Sequence, residues 1–228
     1  YSSHATHVTG TILALPWDLD SFSIKGMASQ ATARTFNWTF DESEALSEVA
    51  LGMLVSNHSY GVPIIGDDGS QNVPDWYMGC YNNDAYLWDQ ISHNLPYYLM
   101  VASAGNSGLE SYPNGLYSGL DKLTGNKNCK NNLVVANANP TVNPVTGNIT
   151  NLLINNSSSQ GPTDDGRIKP DIAADGTNLY SASNESTTSY ATLSGTSMAS
   201  PSTAGSLILL QQHYNNLHNG YMKSATLK

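Results

Sequence analysis

Basic residues are scarce. In 228 residues, 9 Lys and Arg face 18 Asp and Glu, for a formal net charge of −9, and the basic residues form no run. Binding to phosphates needs a basic cluster, so the composition argues against a nucleic-acid partner. Long apolar stretches are missing too. The longest, 132–138 and 205–210, fall far short of the roughly 20 residues that cross a bilayer, and membrane insertion by this chain is not expected. Cysteine is nearly absent. Cys80 and Cys129 have neither CxxC spacing nor paired histidines, so no metal site is expected from them. Two readings of the pair stay open, a single disulfide in an exported protein, which is preferred, or two inert thiols. Charged residues reach only 12% against 39% hydrophobic. That profile excludes a disordered chain and allows one substantial core, hence one globular domain or most of one.

Along the chain, short apolar stretches alternate with helical patterns, which predicts an α/β domain on a largely parallel sheet. Helices are expected over 4–14, 43–55, 84–94 and 202–214, the last opened by Pro201 after a small-residue turn at 194–200. Strands are expected over 55–60, 97–104, 132–138, 152–154 and 169–173, with a Gly-, Asp- and Asn-rich loop over 62–83. The chain opens at Tyr1 directly on a motif and closes in residues that read like a helix starting, so both ends are expected to be cut.

Three motifs carry chemistry. In His4-Ala5-Thr6-His7-Val8-Thr9-Gly10-Thr11, a histidine at a helix start can aim its ring into a cleft, although a lone histidine is more often structural. In Gly195-Thr196-Ser197-Met198-Ala199-Ser200-Pro201, a serine on a tight turn before a helix gains exposure beside backbone N–H groups that can face an oxyanion. Read alone, such a serine is more often a helix cap. In Ala102-Ser103-Ala104-Gly105-Asn106-Ser107-Gly108, an asparagine at the end of a buried strand can donate its amide to an oxyanion, where the commoner case is an ordinary turn residue.

Taken together, the motifs resemble the subtilisin family of serine proteases (subtilases, peptidase S8). The first resembles that family's His-Gly-Thr-His-Val-Ala-Gly-Thr, and Gly195-Thr196-Ser197-Met198-Ala199-Ser200-Pro201 matches its serine motif at every position. Ser59-Tyr60-Gly61 resembles the family's substrate strand, Ala104-Gly105-Asn106 its oxyanion segment, and Ser159-Gln160-Gly161-Pro162-Thr163 the stretch ahead of the serine, all in the family's order. The resemblance implies a three-layer sandwich around a mostly parallel sheet. It implies a serine endopeptidase working through an acyl-enzyme, with Ser197 as nucleophile, His4 as general base and Asn106 as oxyanion donor. His7 would be structural. Ser59, Tyr60 and Gly61 would pair with substrate backbone as an added strand. Ser103, Ala104 and Gly105 would line the primary specificity pocket, whose small residues suggest room for a large apolar side chain. The resemblance further implies protein or peptide substrates, a monomer and an extracellular or cell-envelope location. No cofactor is required, and a structural calcium ion is the one ion it admits, with Asp67, Asp68, Asp75 and Asp84 as hard oxygen donors.

The match departs from the family at three points. The family's triad aspartate lies upstream of the histidine, and this chain starts three residues before His4. Residues 1–228 are therefore expected to be a partial catalytic domain, nearly inactive and poorly folding by itself. Asp18 and Asp20 lie downstream, match no motif and are not promoted. Ala5 replaces a glycine. Finally, 62–83 is an extended loop beside the substrate strand. The alternative function is a pseudoprotease or peptide-binding module that keeps the cleft. An esterase is disfavoured because those enzymes place the histidine last.

Overall fold

The computed structural model describes residues 2–19 and 22–228. Asp20 lies outside them. In chain order the elements are α1 (Ser3–Leu13), β1 (Trp17–Leu19), β2 (Phe22–Ile24), α2 (Asp41–Ala50), β3 (Val55–His58), α3 (Asn83–Asn94), β4 (Leu99–Ser103), β5 (Leu133–Val142), β6 (Ile149–Ile154), β7 (Ile172–Asp175), β8 (Leu179–Ala182), β9 (Tyr190–Leu193), α4 (Thr196–His218) and α5 (Ser224–Leu227).

The central sheet is parallel along β3-β4-β5-β7, and β6 adds antiparallel to the outer half of β5. All five residues of β4 are buried, because both sheet faces are covered. Tyr98, Met100 and Ala102 pack with Trp88 and Ile91 of α3, Ala45 of α2 and Cys129. Leu99 and Val101 point the other way, into Leu133, Val135 and the α4 residues Ala199, Ala204 and Leu207. The alternation along β4 thus divides the core into two layers of helices around one sheet, and a strand buried on both sides reads as the apolar run LMVA closed by the buried Ser103. This is the α/β, mostly parallel architecture expected from the sequence.

Two helix boundaries differ from expectation. The helix predicted over 43–55 ends at Ala50, because Gly52 adopts φ +101° and closes a left-handed cap. The Met53 N–H returns to Glu48 O and the Gly52 N–H to Val49 O, the paired bonds of a Schellman ending. Conversely, α4 starts at Thr196, six residues before its predicted start, so Ser197 and Pro201 both lie inside it. Proline has no N–H for the carbonyl four residues back, here Ser197 O. The Ser59 hydroxyl takes that place, donating to Ser197 O at 3.0 Å.

The two cysteines are free, which corrects the preferred disulfide. Cys129 is fully buried between α3 and β4, in the cluster around Trp88. Burial raises its thiol pKa. No helix among the described residues is long and apolar enough to cross a membrane.

Candidate active site

The serine motif is wired to the end of β3. Ser59 is 7% exposed, and its hydroxyl serves the proline-orphaned Ser197 carbonyl. In return the Ser197 hydroxyl donates to Ser59 O at 3.3 Å. Behind this pair, the Ser200 hydroxyl donates to Asn57 Oδ1 at 2.7 Å and Asn57 Nδ2 donates to Ser59 Oγ at 3.0 Å. Asn57 and Ser200 were not singled out in the sequence. The signal available for Asn57 was its place two residues before Ser59, on the same face of an extended chain.

Asn106 follows β4 and is exposed. Its Oδ1 accepts from the Thr196 N–H and the Thr196 hydroxyl, both at 3.0 Å. The Gly105 N–H donates to Thr196 Oγ1 at 3.1 Å, which ties the end of β4 to the start of α4. With Oδ1 engaged twice, the amide Nδ2 is left as the free donor. Gly195 sits against it. A Cβ there would come within 3.3 Å of Asn106 Nδ2, and φ is +150°, a combination that suits glycine. The sequence reading missed Thr196 as the residue that orients Asn106.

His4 lies in the first turn of α1, capped by Ser2, whose hydroxyl accepts from Ala5 N. The helix packs against α4. The His4 ring is exposed, and no hydrogen bond joins it to Ser197 or to a carboxylate among the described residues. Partial desolvation, then the neighbouring His7, lowers its pKa. His7 is fully buried, with Nε2 at 3.1 Å from both Leu179 O and Ala191 O, so it clasps the β8–β9 hairpin.

Ser59, Tyr60 and Gly61 continue β3 past its last pairing with β4. The backbone N–H and C=O of Gly61 make no hydrogen bond to another described residue. Tyr60 heads a buried polar chain. Its hydroxyl donates to Asp41 Oδ2 at 2.6 Å and lies 2.5 Å from His58 Nδ1. Beyond the ring, His58 Nε2 is 2.7 Å from Ser56 Oγ, which is 2.6 Å from Tyr98 Oη. Burial, and then Lys127, pulls the His58 pKa down to about 3. Ser103, Ala104 and Gly105 form the facing segment, with Ser103 and Ala104 buried. The space between the segments, expected to suit an apolar side chain, is entered by Lys127, whose ammonium donates to Tyr60 O at 3.2 Å.

The acidic residues offered for calcium do not converge. Asp68 accepts from Ser70, and Asp75 from Gln71 and Asn114, while Asp84 feels the charge of Lys127 at a distance, without an ion pair. Calcium takes six to eight oxygens, and among the described residues no group of three or more His, Cys, Asp or Glu could hold a metal ion. As placed, these residues do not fit the ion.

The chain is 47% identical over 64 residues to a PII-type proteinase of Lactococcus lactis subsp. cremoris, covering 28% of the chain and 3% of that protein. It is 42% identical over 106 residues to a C5a peptidase of Streptococcus pyogenes serotype M3, covering 46% of the chain and 9% of that protein. The matches thus span only a small part of those relatives' length. Among solved structures, the PatG macrocyclase in complex with peptide aligns at TM-score 0.64 and 16% identity, over 98% of this chain and 57% of that one. A psychrophilic protease aligns at TM-score 0.59 and 23% identity, over 99% and 67%. These two likenesses show the fold. The model of the family described as the subtilase family, Peptidase_S8, matches residues 1–228, and the chain belongs to that family of serine proteases.

Proposed function

We propose that this chain carries the catalytic serine, the base and the oxyanion donors of an exported endopeptidase that acts on protein or peptide substrates. Ser197 Oγ would attack the scissile carbonyl carbon while His4 takes its proton. The oxyanion would be held by Asn106 Nδ2 and the Ser197 N–H at the start of α4. His4 then protonates the leaving amine, and water releases the acyl group by the reverse route. The exposed, unpaired backbone of Gly61 would accept the substrate as an added strand.

The lock on Asn106 carries this reading. Two donors from Thr196 fix Oδ1 and leave Nδ2 free against Gly195, two residues before Ser197 in the chain. Preorganised donors of this kind add to catalysis because they need no reorganisation as charge develops. A second reading, a peptide-binding relic, draws on the Ser197 hydroxyl donating to Ser59 O rather than to His4. A fluorophosphonate probe separates the two. Labelling of the native protein at Ser197, abolished in Ser197→Ala and strongly slowed in His4→Ala, supports the peptidase. An unreactive Ser197 sinks it.

A further inference from the structure

The cleft has a cationic floor. Lys127 belongs to the 3-10 turn Gly125–Asn128, and the whole residue is 3% exposed. Its stem passes Gly105, where a Cβ would lie 3.9 Å from Lys127 Cε, and its ammonium ends against Gly61, where a Cβ would collide with Nζ. These glycines belong to the two segments that would flank the substrate side chain on the acyl side of the scissile bond. Glycine at both places leaves the room that the lysine enters, so the ammonium stands between the pocket walls.

An ammonium has three N–H donors. Lys127 Nζ makes one hydrogen bond, to Tyr60 O at 3.2 Å, and no carboxylate among the described residues forms an ion pair with it. Asp84 favours its charge from farther away, but burial outweighs this and holds the pKa down to about 8. A buried cation with one neutral acceptor is costly, whereas a carboxylate brought to it makes a charge-assisted bond in a dry site. An apolar side chain in the same place would seal the ammonium from water without pairing it. A basic side chain would add like charge.

We propose that Lys127 sets substrate specificity, and that the pocket between Gly61 and Gly105 takes a Glu or Asp side chain whose carboxylate pairs with Lys127 Nζ. This rests on the proposed cleft, since it takes 59–61 and 103–106 as the walls of the specificity pocket.

The test compares kcat/KM of the native protein on three peptides that differ only in Glu, Gln or Leu before the scissile bond. Glu is expected to exceed Gln by about tenfold to a hundredfold, because the isosteric amide leaves the buried charge unpaired. Lys127→Met is expected to bring Glu and Gln within about threefold and to raise Leu. If Gln or Leu is cleaved as well as Glu by the native protein, or if Lys127→Met leaves the Glu to Gln ratio unchanged, the inference is overturned. Should Lys127→Met fail to fold, the native ratio alone decides. Fluorophosphonate labelling of Ser197 in the same samples separates the two claims. Labelling without acidic preference overturns only the role of Lys127, and absent labelling overturns the peptidase reading and this one with it.

Discussion

Protonation of His58 should weaken the fold at mildly acidic pH. Its hydrogen-bond chain has one consistent direction. The Tyr60 proton goes to the Asp41 carboxylate, so Tyr60 Oη accepts from His58 Nδ1–H. Nε2 is then unprotonated and accepts from the Ser56 hydroxyl, which in turn accepts from the Tyr98 hydroxyl. A second proton on the ring would reverse the bond to Ser56 and leave the hydroxyl proton of either Ser56 or Tyr98 without an acceptor, while placing charge near Lys127. The folded pKa, about 3, lies below the ordinary 6.5, so the unfolded chain takes up the proton first. Stability from this group is complete above pH 6.5 and is lost as pH falls from 6.5 to about 3. At about 1.4 kcal/mol per pKa unit, the loss is about 2 kcal/mol by pH 5 and about 5 kcal/mol at most, against a typical domain stability of about 5–15 kcal/mol. Urea unfolding followed by tryptophan fluorescence would read it, since the Trp88 ring lies 4.9 Å from that of His58. His58→Gln keeps a donor and an acceptor but does not titrate. The stability advantage of the native protein over this variant should shrink by about 2 kcal/mol between pH 7.5 and 5. An advantage that stays constant over that range would refute the assignment.

Three further outcomes follow from the site and the core. Asn106→Ala should cut kcat while leaving KM nearly unchanged, and the loss seen when the matching donor was removed from another subtilase is about 10²–10³-fold. A loss confined to a raised KM, with kcat unchanged, would remove Asn106 from the oxyanion site. Ser59→Ala leaves the Ser197 carbonyl with neither the proline nor a hydroxyl to serve it, and should cost about 1–3 kcal/mol in urea unfolding. An unchanged midpoint and slope would mean that water or a shift of α4 replaces the bond. In a thiol count with iodoacetamide, Cys80 should react in the folded protein and Cys129 only after unfolding, because Cys129 is fully buried. Equal rates, or a disulfide-linked peptide in the digest, would contradict the free thiols of the core.

The residues that announced themselves in the sequence are those whose role depends on local chain geometry. Gly195 and Ser197 sit at the entry to a helix, His4 in a first helical turn and Asn106 just past a strand end, and each motif reads from its neighbours once the three are taken together. The start of α4 did not, because a proline normally marks a first turn. Placing Pro201 sixth in the helix needs an outside donor for Ser197 O, and Ser59 supplies it from 138 residues away in the chain. Gly52, by contrast, was legible as a helix ending, and the predicted helix simply ran through it. The same division explains the pocket. Gly61 and Gly105 could be read as small residues at a cleft, and smallness suggests space for an apolar group. What fills a space is decided by packing between segments distant in sequence, and nothing local separates Lys127 from the solvated lysines of an Asn-rich loop. Only its burial, with Nζ against Gly61 and the stem against Gly105, shows that a space read as open and apolar holds a charge. Local motifs therefore identify the family, while the contact proposed to select the substrate is one that no local pattern encodes.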